Sequence, residues 1–135
     1  MPKLKDAYAE LASEHEHLMA LVDRIRRHAE ARDPTPLLEQ LHESLIEHFS
    51  HEQFPGGLYE CMGAYDPAHH AELEVLIGEH CTILSNARGL LERSRAAPPA
   101  GDPELRDGIG ELVDMLYDHE HREHRLASRL LGRAD

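Results

Sequence analysis

The sequence is short of almost everything that a sheet or a membrane span needs. There is no tryptophan, and the aromatic residues are four tyrosines and two phenylalanines. β-Branched residues are few, and no segment alternates apolar with polar residues as a half-buried strand would. No run of about 18 apolar residues is present, so no segment is expected to cross a bilayer. The N-terminus lacks the charged, apolar and small-residue succession of a signal peptide. Two cysteines, Cys61 and Cys81, are too few for a disulfide framework, and the cytoplasm is the default compartment. Nine glycines and eight prolines are too few for a low-complexity chain. Basic residues are also scarce, with 14 Lys and Arg against 26 Asp and Glu, for a net charge of −12. Such a chain is repelled by phosphate backbones and anionic lipid, so neither nucleic acid nor membrane is expected as a partner. No phosphate-binding loop, glycine-rich nucleotide fingerprint, Cys-x-x-Cys or His-Glu-x-x-His motif occurs.

What remains is a 135-residue chain, 41% hydrophobic, with twelve histidines. That length makes one domain, residues 1–135. Histidine at this density calls for a chemical reason, and metal ligation is the first, because imidazole is the commonest protein metal ligand.

Proline and glycine divide the chain at Asp33-Pro34-Thr35-Pro36, Pro55-Gly56-Gly57, Asp66-Pro67 and Ala96 to Pro103. Asp66-Pro67 and Asp102-Pro103 each place a capping carboxylate before a proline suited to a first helical turn. Between these marks run four seams at 4-3-4-3 spacing. The first is Leu4, Tyr8, Leu11, His15, Leu18, Val22, Ile25 and Ala29. The second is Leu38, Leu41, Leu45, His48 and Glu52. The third is Leu73, Ile77, His80, Leu84, Ala87 and Leu91. The fourth is Leu105, Ile109, Leu112, Leu116, His119, Glu123, Leu126 and Leu130. Each stripe needs neighbours to bury it. The expected fold is therefore all-α, an antiparallel up-down-up-down four-helix bundle with a metal centre in its core.

The polar residues within the seams point to that centre. Each seam carries one histidine: His15, His48, His80 and His119. Two carry a glutamate four residues later, Glu52 and Glu123, one above the other with its histidine on the same helical face. Buried charge must be paired or ligated. Counted from turns near Asp33, Tyr65 and Pro99, the four histidines reach one height to within about a helical turn. The middle match requires the second helix to resume at about Leu58 to Met62, beyond a kink at Pro55-Gly56-Gly57. Four imidazoles and two carboxylates in one layer suit a pair of iron ions or another transition-metal pair, with the carboxylates between the metals.

At these residues the sequence resembles the hemerythrin-like, or HHE cation-binding, domain family. The resemblance runs from about Leu4 to Leu131 and rests on Glu14-His15, on Glu47-His48-Phe49-Ser50-His51-Glu52, on Glu79-His80 and on His119-Glu120-His121-Arg122-Glu123. It implies a four-helix bundle around a non-haem di-iron centre. In that centre His15, His48, His80 and His119 are terminal ligands, and Glu52 and Glu123 bridge two iron ions that share an oxo or hydroxo group. Manganese is the alternative metal. The chain departs from the oxygen carriers of the family, which have a His-x-x-x-His pair on the third helix. Here Leu76 and Leu84 flank His80 at that spacing. The spacing from His119 to Glu123 is also one residue shorter than the carriers use before an Asp. Six protein ligands leave open positions for O2 or a related diatomic (NO or peroxide), which is the expected partner. An oxygen-activating oxidase or peroxidase acting on a small-molecule substrate is the alternative, as is iron handling or cluster repair. A helical interaction module with a polar core is the reading outside the family. No side chain stands out as a general acid or base.

The eight remaining histidines (His17, His28, His42, His51, His69, His70, His121 and His124) read as exposed. His17 is the rival of His15, and His51 and His124 are placed to orient ligands. His69 also falls on the third seam, but about 16 Å of helical rise separates it from His80. Cys61 and Cys81 sit at different heights and read as separate buried thiols. Tyr8 and Tyr59 read as core residues, with a hydrogen bond at the centre as the sharper alternative. Glu14 with His17 and Glu39 with His42 have ferritin-like i, i+3 spacing, but lie off the seams and read as surface.

Overall fold

The computed structural model of the chain describes residues 2–27, 34–53, 58, 59, 62, 67–96 and 103–134. These form four long helices: α1 (Pro2–Arg27), α2 (Thr35–Gln53), α3 (His70–Ala96) and α4 (Pro103–Ala134). A short 3-10 turn at Pro67–His69 leads into α3. Pro103 opens α4, where its missing N–H costs nothing. The first turns of α3 and α4 hold Glu72 and Glu104, and the last turns of α1 and α3 hold arginines, each sign favoured by the helix dipole there. Each helix packs on two neighbours, α1 on α2, α2 on α3, α3 on α4 and α4 on α1, closing an antiparallel up-down-up-down bundle. Among the described residues there is no strand, and no helix is long and apolar enough to cross a membrane.

The core is two apolar clusters with a polar layer between them. The larger cluster gathers Leu18, Val22 and Ile25 of α1, Leu38 to Phe49 of α2, Ile83 to Leu91 of α3 and Leu105 to Leu116 of α4. The smaller one gathers Leu58, Tyr59, Met62, Leu73, Leu76, Leu126, Ala127 and Leu130, with Tyr8, Leu11 and Ile77 at its edge. Each fully buried Leu or Ile contributes about 1.5–3 kcal/mol. Along every helix the residues between the clusters are the seam histidines and glutamates. The two clusters thus set the height of the layer and hold it away from water.

Several expectations change. On α3 the buried residues are Leu76 and Ile83, while Ile77 and Leu84 are only partly buried. Both members of each adjacent pair are apolar, so the pattern does not choose between them; packing against both α2 and α4 does. Cys81 is exposed, not buried, and Cys61 lies outside the described residues. Of the histidines expected on the surface, His69 is buried and contacts Glu72 at 3.0 Å, His42 is half-buried, and His28 lies outside the described residues. The expected kink at Pro55-Gly56-Gly57 also lies outside them. Leu58, Tyr59 and Met62 beyond it are helical and buried.

Candidate metal centre

Three buried histidines share one arrangement. His48 Nδ1 donates to Glu14 Oε1 at 2.9 Å, His119 Nδ1 to Glu79 Oε1 at 2.9 Å, and His80 Nδ1 to the amide oxygen of Gln53 at 2.5 Å. Those oxygens only accept, so each Nδ1 carries a hydrogen, which fixes the ring and turns Nε2 inward. Phe49 stacks on His80 with centroids 3.8 Å apart and meets His119 edge-on, making an apolar floor beneath both rings.

Two carboxylates stand at the middle. Glu52, fully buried, lies with Oε2 3.3 Å from His48 Nε2 and Oε1 3.2 Å from His80 Nε2. Glu123 Oε2 lies 3.6 Å from His119 Nε2 and accepts the Tyr59 hydroxyl at 2.5 Å. The same hydroxyl lies 2.9 Å from His80 Nε2.

A third buried carboxylate, Glu120, was not among the expected ligands. Its Oε1 lies 3.6 Å from His48 Nε2, and its Oε2 accepts from His15 Nε2 at 2.5 Å. A signal for it is present in the sequence. Val113, Glu120 and Ala127, seven residues apart, form a second stripe beside the first, and α4 buries both. Reading α4 as a one-stripe helix hid Glu120.

The donor atoms fall into two overlapping groups, each with its atoms within 4.8 Å of one another. One holds Glu52, His80, His119 and Glu123, and the other holds His48, Glu52, Glu120 and Glu123. Glu52 and Glu123 belong to both. Five of the six expected ligands therefore lie in these groups. His15 lies outside them, its side chain 34% exposed and one hydrogen bond from Glu120. His17, its rival, is fully on the surface side of α1.

The layer is strained electrostatically in the way a cation relieves. His48 Nε2, both Glu52 oxygens, His119 Nε2 and Glu120 Oε1 are buried with no hydrogen-bond partner. Such groups cost about 1–3 kcal/mol each unless something satisfies them. Imidazole nitrogen and carboxylate oxygen are the donors that iron, manganese and zinc accept, so the residues present fit a transition-metal pair. Burial, with the Glu123 charge beside it, pushes the Glu52 carboxyl well above its usual range. Burial pulls the His48 imidazole down, but the Glu120 and Glu52 carboxylates facing its Nε2 outweigh that and hold it at about 11. Burial raises the Glu120 carboxyl, yet His15 and His48 hold it down at about 2. Burial and the neighbouring His119 lower the His80 imidazole to about 3.

Two further residues differ from expectation. Glu14, read as surface, anchors His48 and also accepts from His51 Nδ1 at 2.7 Å. His51 thus reaches His48 through Glu14. Tyr8 hydrogen-bonds His124 across α1 and α4. Both line a cavity of about 310 Å³ that reaches His15, His48, Glu52, Glu120 and Glu123, with Leu11, Ala12 and Leu58 on its apolar side.

A sequence model of the family described as "Hemerythrin HHE cation binding domain" matches residues 6–131. No curated protein and no solved structure matches the chain. The chain belongs to the hemerythrin HHE cation-binding family.

Proposed function

We propose that this hemerythrin HHE domain holds two iron ions and binds O2 or a related diatomic on the side of the centre that faces the cavity. The observation that carries the reading is the pair of donor groups with Glu52 and Glu123 common to both. Two cations sharing two carboxylates need that arrangement. His80 and His119 would serve one metal, and His48 and Glu120 the other, with His15 reaching the second through Glu120 or beside it. Manganese is the alternative occupant. A reduced iron pair held there would supply electrons to a diatomic ligand.

The protein's part is to position, dry and supply. Glu14, Gln53 and Glu79 hold the three imidazoles in one tautomer and orientation. Phe49 and Tyr59 close the His80–His119 half against water. The other half faces the cavity, where the His15–Glu120 pair keeps a proton at its inner wall. A diatomic would approach from there.

A second reading has its own observation. The cavity of about 310 Å³ is far larger than a diatomic and combines apolar walls with the Tyr8 hydroxyl and His124. That favours an oxygen-activating oxidase or peroxidase acting on a small organic substrate. One experiment separates the two. The protein is loaded anaerobically with ferrous iron, and its spectrum is followed as oxygen enters. A band that leaves under argon and returns with air supports reversible binding. A transient band decaying to a ferric product supports the oxidase. No iron bound after loading removes both.

A further inference from the structure

Among the described residues, the Tyr59 hydroxyl lies against two of these donor atoms without being a member of either donor group. Its side chain is buried within the smaller apolar cluster, and its ring stacks on His80 with centroids 5.3 Å apart. Its oxygen is 2.5 Å from Glu123 Oε2 and 2.9 Å from His80 Nε2. Those two atoms belong to the same donor group, the one completed by Glu52 and His119. A hydroxyl in contact with both occupies a corner of the polyhedron that a cation there would complete. Metal–nitrogen and metal–oxygen bonds near 2 Å place a cation bonded to His80 and Glu123 within bonding reach of the Tyr59 oxygen as well.

The hydrogen bonding leads the same way. His80 Nε2 has a lone pair, because Nδ1 carries the ring hydrogen toward Gln53. The single hydroxyl hydrogen goes to Glu123, so a metal taking the His80 lone pair would sit beside the lone pairs of the Tyr59 oxygen 2.9 Å away. The oxygen must then accept displacement, or itself bind. Displacement requires moving a ring that Leu58, Met62 and the rest of the smaller cluster surround, and close-packed interiors resist that.

We infer that Tyr59 is a metal ligand in this chain, its phenolate oxygen completing the half of the centre formed by His80, His119, Glu52 and Glu123. The inference rests on the di-metal reading above. On ligation the phenol O–H bond breaks, the oxygen keeps the electron pair and donates it to the cation, and the proton leaves to solvent; no electron is transferred. A bound cation makes this deprotonation favourable, as it does for a coordinating thiol. The consequence would be an unequal pair. One metal would carry five protein donors, the phenolate among them, and the other would face the cavity, open to exogenous ligands.

The test uses the whole chain loaded with iron, counted per chain and then oxidised. Phenolate bound to ferric iron gives a visible charge-transfer band and enhanced tyrosine ring modes in resonance Raman spectra. The expected result is that the wild-type protein and Tyr8→Phe show both, and Tyr59→Phe loses both while its iron count stays the same. Wild-type protein that holds iron but shows no tyrosine ring modes overturns the inference while leaving the di-metal reading intact. So does a band that survives in Tyr59→Phe or disappears in Tyr8→Phe. Wild-type protein that takes up no iron overturns both. The wild-type Raman spectrum decides the matter even if Tyr59→Phe fails to fold.

Discussion

Replacing Glu52 by leucine should make the metal-free protein more stable and at the same time weaken its response to iron. Glu52 is fully buried, and neither of its oxygens has a hydrogen-bond partner. Each such group costs about 1–3 kcal/mol, and exchanging a buried polar group for an apolar one of similar volume recovers much of that. Against this stands the loss of contact with His48, which keeps Glu120 and Glu14 as partners. The balance predicts that the metal-free variant gains about 1–3 kcal/mol, or roughly 4 °C in Tm per kcal/mol for a domain of this size. Iron at 100 times its dissociation constant should stabilise the wild type by about 2.7 kcal/mol. The variant lacks a donor common to both groups and should gain little. Urea unfolding followed by circular dichroism, with chelator and with anaerobic ferrous iron, measures both terms. A variant less stable than wild type without metal, or one stabilised equally by iron, would refute the reasoning.

Three other outcomes follow from the same geometry. Glu14→Ala and Glu79→Ala remove the acceptors that orient His48 and His119, and each should weaken iron binding about 10–100-fold; unchanged affinity in a competition with a chromophoric chelator argues against that role. Stability of the metal-free protein should fall as pH rises above 6.5, by about 1.4 kcal/mol per pH unit for each group titrating. His48 is held at about 11 and Glu52 is also raised, so their contribution is complete below their unfolded values and is lost on the way up. Below pH 4.5 stability should fall again, because Glu120 at about 2 and His80 at about 3 must take protons that the unfolded chain binds more readily. Unfolding curves across pH that rise between 7 and 10 without metal would contradict this. Ala12→Trp should fill the cavity and slow the binding of azide to the ferric protein several-fold without changing the iron count; an unchanged rate places the access route elsewhere.

How far the sequence carried these conclusions differs from residue to residue. The helices and the height of the polar layer were legible, because apolar residues at 4-3-4-3 spacing give way to His15, His48, His80 and His119, one on each seam. Glu52 and Glu123 were legible for the same reason, being one turn from a seam histidine. Glu120 was not, since it lies on the second stripe of a helix that buries two. The role of Glu14 was hidden because it acts through His48 Nδ1, a contact between helices that no spacing within α1 encodes. Tyr59 follows the Pro-Gly-Gly interruption, where helical phase is lost, so only the three-dimensional packing brings its hydroxyl to His80 and Glu123. On α3 the choice of Leu76 over Ile77 and Ile83 over Leu84 was set by packing against both neighbours.

The claim on which the rest depends is that two cations share Glu52 and Glu123. Anaerobic titration with ferrous iron, followed by a metal count per chain after removal of the excess, tests it most directly. The account predicts two iron ions per chain in the wild-type protein and about one in Glu123→Ala. A wild-type count of one or none, or an undiminished count of two in Glu123→Ala and in Glu52→Ala, would contradict it.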